Sequence, residues 1–352
     1  FFANRTRMTD QQIQQFQHYL GPETELIHTH LSWVLITDQY AFKIKKPLHF
    51  SFVDFSTLER RKYFCQREVS LNNRLSNGIY LGVCALYESK ESIQLEENGT
   101  APIGYAVQMR KLPKARQMDV LLKKGGLMPL HLQKLAKAIA TFHQSATINY
   151  EEPDLPQLQE DFADLASVKP FIHQAFSPVS SQLIDDSIRL SKQFIQLFAP
   201  DFTDRKERAQ TVDGHGDLHS GNIFLLKEGP IPFDCIEFND HLRQVDVLNE
   251  VAFLVMDLEY HNQKALGEAF LNAYFHHHPG RQSPSDGHIF LYYKLYRANV
   301  RLKVSVLAAE QMESGPAFDE LLRSIARYLR LYTTYAEQLS SVVKAYKANA
   351  SF

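Results

Sequence analysis

The chain has 352 residues, of which 44% are hydrophobic and 22% are charged, and its formal net charge is −2. This length exceeds one ordinary domain of about 100–200 residues and predicts two lobes or two domains. The near-neutral charge gives no reason to expect a nucleic-acid partner. The three cysteines form no CxxC pair, which argues against a disulfide scaffold and favours a reducing, cytoplasmic setting. The sequence contains no run of about 18 apolar residues, so it predicts no membrane-spanning helix.

Residues 1–107 are predicted to form a small lobe rich in β-strands. Met8 is a candidate start, which would make the preceding residues an extension. A helix is predicted at 10–20, where Gly21-Pro22 stops it, and an amphipathic helix at 56–75. Short alternating runs predict five or six strands. The candidate strands are 25–30, 32–37, 40–46, 79–87, 92–95 and 103–109.

Residues 113–352 are predicted to form a larger, mainly helical lobe. A 3.6-residue periodicity marks its helices. The predicted helices are 129–146, 158–166, 181–198, 246–260, 262–276, 288–311 and 318–347. A β-like stretch at 222–226 and 231–238 interrupts them. Three histidines, 276–278, end one helix and are interpreted as a solvated cap, since cations favour a helix C-terminus.

One segment carries a set of side chains suited to phosphoryl transfer. Asp217 and Asn222 lie five residues apart, and Asp234 ends a short hydrophobic run after Gly229-Pro230. Phosphoryl transfer needs a carboxylate to orient the attacking hydroxyl and accept its proton, which suits Asp217. It also needs oxygen ligands for Mg²⁺ against the ATP phosphates, which suits Asn222 and Asp234.

The same segment contains two histidines, His215 and His219, four residues apart. A zinc pair at this spacing needs a regular helix, which Gly216 and Gly221 would break. We therefore expect His215 to hold the loop through hydrogen bonds to the backbone, and His219 is a candidate for contact with substrate.

The motif H-G-D-x-x-x-x-N, followed by a hydrophobic strand ending in Asp, resembles the aminoglycoside phosphotransferase and choline kinase group of protein-kinase-like folds. The wider pattern resembles an uncharacterised bacterial branch of that group, in which some relatives carry an extra P-loop kinase domain. That likeness is carried by residues 29–34 (THLSWV), 41–47 (AFKIKKP), 54–60 (DFSTLER) and 233–240 (FDCIEFND). The resemblance covers roughly residues 10–346.

The resemblance implies a bilobal α+β protein-kinase-like fold and an ATP site. Residues 1–107 would form the N-lobe, 108–112 the hinge, and 113–352 the C-lobe with the catalytic loop, metal site and acceptor cleft. Lys43 would hold the α/β-phosphates and share a strand face with Ala41; Lys45 shares that face and is the alternative. Glu68 would pair with the lysine, with Glu59 as a less favoured substitute.

The hinge implied by the resemblance would bind adenine through backbone groups of Gln108, Met109 and Arg110. Two features depart from the family pattern. A G-x-G-x-x-G loop is absent from the sequence, and residues 29–32 take its place. The family's D-L-A motif reads Glu250-Val251-Ala252, so a longer side chain stands where an Asp normally supports the catalytic loop.

A basic stripe is a candidate contact for the acceptor. Lys294, Arg297 and Arg301 recur at i, i+3 and i+7 and therefore share one helical face. A solvated or salt-bridged surface is the plainer interpretation, while guanidinium recognition of an anionic acceptor is the functional one. A cationic cleft would repel polycationic aminoglycosides.

The sequence thus predicts an ATP- and Mg²⁺-dependent kinase acting on a hydroxyl of a small molecule. A protein kinase and a nucleotide-binding regulatory pseudokinase are the alternatives, with a nucleotidyl transferase as a minor one. The absence of an A-P-E-type segment after Asp234 argues against the protein kinase. The intact set of Lys43, Asp217, Asn222 and Asp234 argues against the pseudokinase. No membrane or nucleic-acid partner is expected, and the sequence leaves the oligomeric state open.

Overall fold

The computed structural model describes residues 8–50, 53–76, 78–89, 92–97 and 99–349. The predicted extension before Met8 lies outside these residues. Two compact units divide the chain, and neither is continuous in sequence. The first comprises Phe1–Lys124, His215–Asp217 and Gly221–Arg243, and the second comprises Gly125–Gly214, Leu218–Ser220 and Gln244–Phe352.

An antiparallel six-stranded sheet forms the frame of the first unit, in the order β1-β2-β3-β8-β6-β7. A separate hairpin pairs β4 with β5. The strands are β1 (Glu25–His28), β2 (Ser32–Ile36), β3 (Tyr40–Lys45), β4 (His49–Phe50), β5 (Val53–Asp54), β6 (Tyr80–Glu88), β7 (Ile93–Gln94) and β8 (Gly104–Arg110).

Two helices pack against this sheet. Helix α1 (Asp10–Leu20) begins with a capping box between Thr9 and Gln12 and buries Ile13 and Phe16. Helix α2 (Leu58–Asn72) begins where the Thr57 hydroxyl accepts from the backbone of Arg60. Both helices therefore start at side-chain caps that satisfy their first amide groups.

The central strand β3 has two chemically different faces because side chains alternate along a strand. Phe42 and Ile44 are buried in the same core as Phe16 of α1. Ala41, Lys43 and Lys45 therefore point to the other face, as predicted. Helix α2 packs near that face against β6 and β8, with Cys65 and Val107 in a second core.

A short hairpin completes the described part of the first unit. Strands β10 (Ile223–Leu225) and β11 (Pro230–Pro232) pair in antiparallel fashion, and helix α3 (Met118–Lys123) packs beside β10. The predicted strand 231–238 was too long, since β11 ends at Pro232. Residues 233–236 instead donate their backbone amides to residues of other segments, and Glu237 contacts Lys45 through its side chain.

Helices make up most of the second unit. They are α4 (Pro129–Ser145), α5 (Leu155–Ala163), α6 (Lys169–Ala175), α7 (Pro178–Glu207), α8 (Val247–Tyr260), α9 (Lys264–His277), α10 (Pro284–Glu310) and α11 (Pro316–Asn349). A two-stranded pair, β9 (Thr211–Asp213) and β12 (Gln244–Asp246), precedes α8. Helix α8 is buried without interruption from Val247 to Leu258 and packs against α9 and α10.

The predicted helix 181–198 is longer in the structure. It belongs to α7, which continues through Pro200 to Glu207. Phe194 and Phe202, on either side of the proline in sequence, are both buried against Tyr292 of α10. Aromatic packing thus sustains the helix past a residue that weakens helices locally.

The structure confirms the predicted α+β fold with a β-rich lobe and a helical lobe. Among the described residues, no helix combines the length and the apolar character needed to cross a membrane.

Candidate active site

Two lysines of β3 share one glutamate of α2. The Nζ atom of Lys43 donates to Oε1 of Glu68 at 2.9 Å, and the Nζ atom of Lys45 donates to Oε2 at 2.6 Å. Glu68 is fully buried and Lys45 is 1% exposed, whereas Lys43 is 15% exposed. The predicted Lys43–Glu68 pair is present, and Lys43 is the lysine nearer to solvent. Glu59 is exposed at the start of α2.

Each lysine also contacts a carboxylate that follows β11. Lys43 donates to Oδ1 of Asp234 at 2.6 Å, and Lys45 forms an ion pair with Glu237. The five side chains form a chain of alternating charge: Asp234, Lys43, Glu68, Lys45 and Glu237. Asp234 lies at its open end, with 42% of its side chain exposed.

Burial and charge act in opposite directions on these groups. Burial alone would raise the pKa of Glu68, but the charges of Lys43 and Lys45 outweigh it and lower the pKa to about 2. Burial would lower the pKa of Lys43, yet Asp234 and Glu68 raise it well above its usual value. Burial raises the pKa of Glu237, and Lys45 offsets this only in part. The lysines and Glu68 are therefore charged at neutral pH.

The loop containing Asp217 is fixed by hydrogen bonds among its own residues. The Nδ2 atom of Asn222 donates to Oδ2 of Asp217 at 2.8 Å and to the Asp217 carbonyl at 3.1 Å. The Nδ1 atom of His215 accepts from the Asp217 amide at 3.2 Å, so its Nε2–H donates to the carbonyl of Phe233 at 2.9 Å. The predicted role of His215 as a backbone anchor is present in the structure.

A glycine is required between His215 and Asp217. Gly216 has φ +84°, and a Cβ atom there would lie 2.7 Å from the carbonyl oxygen of Leu242. Backbone conformation and close packing both exclude a larger residue. The H-G-D spacing therefore has a steric basis.

The hairpin of β10 and β11 brings the two candidate magnesium ligands to one end. Asn222 directly precedes β10, and its carbonyl accepts from the amide of Phe233, which follows β11, at 3.0 Å. Asp234 is the next residue and has φ +62°, a conformation that Asp adopts more readily than most residues. Its amide donates to the hydroxyl of Tyr80 at 3.1 Å.

The chemistry of this pair suits Mg²⁺. Because the Asn222 amide nitrogen is committed to Asp217, Oδ1 is the atom that would ligate a cation, together with the carboxylate of Asp234. Among the described residues, no group of three or more His, Cys, Asp or Glu side chains is arranged to hold a metal. Two protein oxygens completed by phosphate oxygens and water are a normal set for Mg²⁺.

Helix α8 in the second unit supports the ends of the loop segment 214–220. A Cβ atom on Gly214 would lie 2.6 Å from Oε1 of Glu250, and Oε2 of Glu250 lies 2.8 Å from Nε2 of His143. Oδ2 of Asp257, seven residues after Glu250, accepts from the amide of Ser220 at 2.8 Å. The longer Glu250 side chain thus fits because residue 214 is glycine.

The predicted hinge residues lie within β8. Met109 pairs with Ala41 of β3, which places its side chain on the face of Lys43, whereas Gln108 pairs with Phe42 on the opposite face. The amides of Arg110 and Lys111 already donate to the carbonyls of Ile79 and Gln39. The expectation that residues 108–112 follow the last strand was wrong for three of the five, since β8 ends at Arg110 and only 111 and 112 follow it. Their contact with adenine remains a prediction.

The candidate acceptor residues lie in the second unit. His219 and Arg297 both contact the ring of Phe253. The ring centroids of His219 and Phe253 are 5.4 Å apart, and the guanidinium carbon of Arg297 lies 4.7 Å from the Phe253 centroid. Arg297 is buried, and its Nε donates to Asn249 at 2.6 Å. Arg301 donates to the hydroxyl of Tyr328 at 3.1 Å.

Lys294, the third member of the basic stripe, pairs with Glu259 at 2.8 Å. The plainer interpretation of the stripe therefore holds for Lys294, which is salt-bridged within the helical unit. An acceptor role for His219, Arg297 and Arg301 remains a prediction.

Sequence reasoning missed four residues of this arrangement: Glu237, Tyr80, Asn72 and Asp257. Each contacts the candidate site through a partner distant in sequence. The tyrosine and Asn72 were indistinguishable from core positions, and Asp257 lies in a helix that is buried on all sides. The Lys45 face was predicted correctly, but not its pairing with Glu237.

No protein-family model matches the chain. Uncharacterised proteins of Mycobacterium tuberculosis and Mycobacterium bovis are 32% identical over 306 residues, which cover 85% of this chain and 58% of theirs. The chain therefore spans about three-fifths of the length of these curated relatives.

Solved structures resemble about nine-tenths of the chain. A choline/ethanolamine kinase family protein from Mesorhizobium loti aligns with a TM-score of 0.52 at 14% identity, over 91% of this chain and 93% of that one. A choline kinase from Cryptosporidium parvum aligns with a TM-score of 0.53 at 13% identity, over 90% of each chain. The chain thus has the protein-kinase-like fold of choline kinases, as the sequence resemblance implied.

Proposed function

We propose that this protein is a small-molecule kinase, which transfers a phosphoryl group from ATP to a hydroxyl of its acceptor with the help of Mg²⁺. One observation carries the proposal. Within one compact unit, Lys43 contacts both Glu68 and Asp234, and Asn222 orients Asp217. These are the charges and donors that phosphoryl transfer requires.

The residues would divide the work as follows. Asn222 and Asp234 would hold Mg²⁺, which when bound neutralises charge on the phosphates. Lys43, kept charged by two carboxylates, would bind the α/β-phosphates. Asp217, oriented by the Asn222 amide, would position the acceptor hydroxyl and accept its proton. Met109 would face the nucleotide from β8.

The acceptor is proposed as a neutral or anionic hydroxyl metabolite rather than an aminoglycoside. In this proposal Arg297 and Arg301 would contact the acceptor, and guanidinium groups at that place would disfavour a polycation. Lys294 does not support it, because Glu259 neutralises that side chain. A cytoplasmic setting, in which the three free thiols stay reduced, belongs to the same proposal.

Product analysis tests the activity. The purified protein is incubated with MgATP and a metabolite library, and products are identified by mass spectrometry. ADP with a phosphorylated metabolite would support the proposal. ADP with a phosphoprotein, AMP or pyrophosphate, or no product would instead favour a protein kinase, a nucleotidyl transferase or a pseudokinase. Asp217→Asn is the control that separates this activity from a contaminating kinase.

Calorimetry tests the separate roles proposed for Asp234 and Asp217. Asp234→Ala should weaken MgATP binding because it removes a metal ligand, whereas Asp217→Asn should leave binding unchanged because Asp217 acts on the acceptor. Equal affinities of the two variants would contradict these assignments.

A further inference from the structure

Four consecutive residues, 234–237, are each held by a different segment of the first unit. The amide of Asp234 donates to the Tyr80 hydroxyl of β6 at 3.1 Å. The amide of Cys235 donates to Oδ1 of Asn72 of α2 at 2.9 Å, and the amide of Ile236 donates to the carbonyl of His215 at 3.1 Å. The side chain of Glu237 forms an ion pair with Lys45 of β3.

The last of these contacts differs from the other three in its electrostatics. Lys45 and Glu237 are 1% and 6% exposed, so their attraction is little screened by water. Lys45 also occupies the Glu68 oxygen that Lys43 leaves unused. One ion pair therefore fixes both the segment that carries Asp234 and the glutamate that orients Lys43.

We propose that Lys45 and Glu237 are positioning residues, which lock Asp234 and Lys43 in the arrangement needed for MgATP before the nucleotide arrives. Neither residue is a ligand of metal or phosphate in this proposal. The inference rests on the proposed function for its effect on MgATP, but the pinned segment itself is a property of the free protein.

The charge balance of the cluster makes Glu237→Gln a usable variant. Two lysines then face two carboxylates, Glu68 and Asp234, and the Gln amide oxygen still accepts from Lys45. The fold should therefore survive, while the ionic lock on the segment is lost. A second variant, Lys45→Met with Glu237→Leu, removes one positive and one negative charge and leaves the net charge of the site unchanged.

Hydrogen exchange on the free protein gives a readout that needs no nucleotide. In wild type, the amides of 234–236 should exchange slowly, because each donates to a fixed partner. Both variants should exchange faster in this segment and not in the sheet. Wild-type exchange rates in both variants would overturn the proposal.

Calorimetric titration with ATP and MgCl₂ gives the functional readout. A misplacement of about 1 Å can cost on the order of 10²-fold in a positioned site, and we expect about a tenfold rise in the Mg²⁺ concentration for half-saturation in both variants. ATP binding in EDTA should weaken by a smaller factor, about twofold, because Lys43 keeps its contacts with Glu68 and Asp234 in both variants and only its alignment is affected. Unchanged Mg²⁺ dependence in the double variant would reduce the pair to a structural role and overturn the proposal.

The two readouts separate this inference from the proposed function. Suppose that hydrogen exchange is faster in the variants and that wild type does not bind MgATP. This result would contradict the proposed kinase function and still support the role of Lys45 and Glu237 in holding residues 234–236. Asp286→Asn is the matched control, since it disrupts the buried pair with Arg205 in the helical unit. It should lower thermal stability and leave both the exchange of 234–236 and the Mg²⁺ dependence as in wild type.

Discussion

The amide nitrogen of Asn222 lies 2.8 Å from Oδ2 of Asp217. The Asn222 side chain therefore links two proposed roles of the loop. Its amide nitrogen orients the candidate base Asp217, and its amide oxygen is the proposed ligand of the cation. Asp217→Asn removes the charge of the candidate base and should therefore lower turnover. It should leave the metal ligand Asn222 in place, since the new amide oxygen could still accept from Asn222.

We expect Asp217→Asn to lower turnover by about 10²–10⁴-fold, the usual contribution of a positioned base, with MgATP affinity unchanged. Steady-state kinetics with the identified acceptor, together with calorimetry, would measure both. Asp38→Asn, at an exposed turn between β2 and β3, is the control and should behave as wild type. If Asp217→Asn kept more than about a tenth of the activity, another group would be the base.

The two lysines of β3 should respond differently to Met. Lys43→Met should abolish turnover and leave a folded protein, because Lys45 still neutralises Glu68. Lys45→Met should cost about 3–5 kcal/mol of unfolding free energy, since it leaves Glu237 buried without its cation. Urea denaturation and turnover assays on both variants would check this. A stable, inactive Lys45→Met beside an active Lys43→Met would show that Lys45 is the phosphate lysine.

The parts of this site that could be predicted from sequence are those encoded locally. The spacing of Asp217 and Asn222, and the alternation that put Lys43 and Lys45 on one face, depend on a few neighbouring residues. The Lys45–Glu237 contact spans 192 positions, and no local pattern reports which distant carboxylate a strand lysine will meet. The pairing is set by the tertiary structure, which brings β3 and the segment after β11 together.

Asp257 and His278 were missed for a related reason. Helix α8 is buried on every side, so it lacks the polar face that would make a carboxylate at 257 conspicuous. The histidines 276–278 were interpreted as a solvated cap, which is right for His276 and His277 and wrong for His278. That side chain is 6% exposed and stacks on Tyr274.

A substitution at Glu250 should partly offset the loss of stability and turnover caused by a substitution at Gly214. A Cβ atom at 214 would lie 2.6 Å from the Glu250 carboxylate, which belongs to a side chain held by His143. Gly214→Ala should therefore cost about 1–3 kcal/mol in stability, as overpacking commonly does, and lower turnover by displacing the loop. Adding Glu250→Asp shortens the arm and should recover part of both losses, as measured by denaturation and kinetics. Strictly additive losses would show that the two residues do not compete for this space.

His278 should make the protein less stable in acid. Burial, with smaller contributions from the charges of His143 and Arg205, lowers the pKa of His278 to about 4. Its Nδ1 atom is buried without a hydrogen-bond partner among the described residues. Because the unfolded chain, with a pKa near 6.5, binds the proton more readily, stability is greatest above about pH 6.5 and is lost as the pH falls towards 4.

A phenylalanine at this position isolates that contribution. His278→Phe keeps the ring that stacks on Tyr274 at 5.3 Å between centroids and cannot take up a proton. A shift of this size corresponds to about 3 kcal/mol, and solvent screening brings the expected loss to about 2 kcal/mol between pH 6.5 and 4. Unfolding free energies measured across this range should fall more steeply for wild type than for His278→Phe. His276→Phe, at an exposed position of the same helix end, should keep the wild-type slope, and parallel slopes for all three proteins would show that His278 does not titrate in this range.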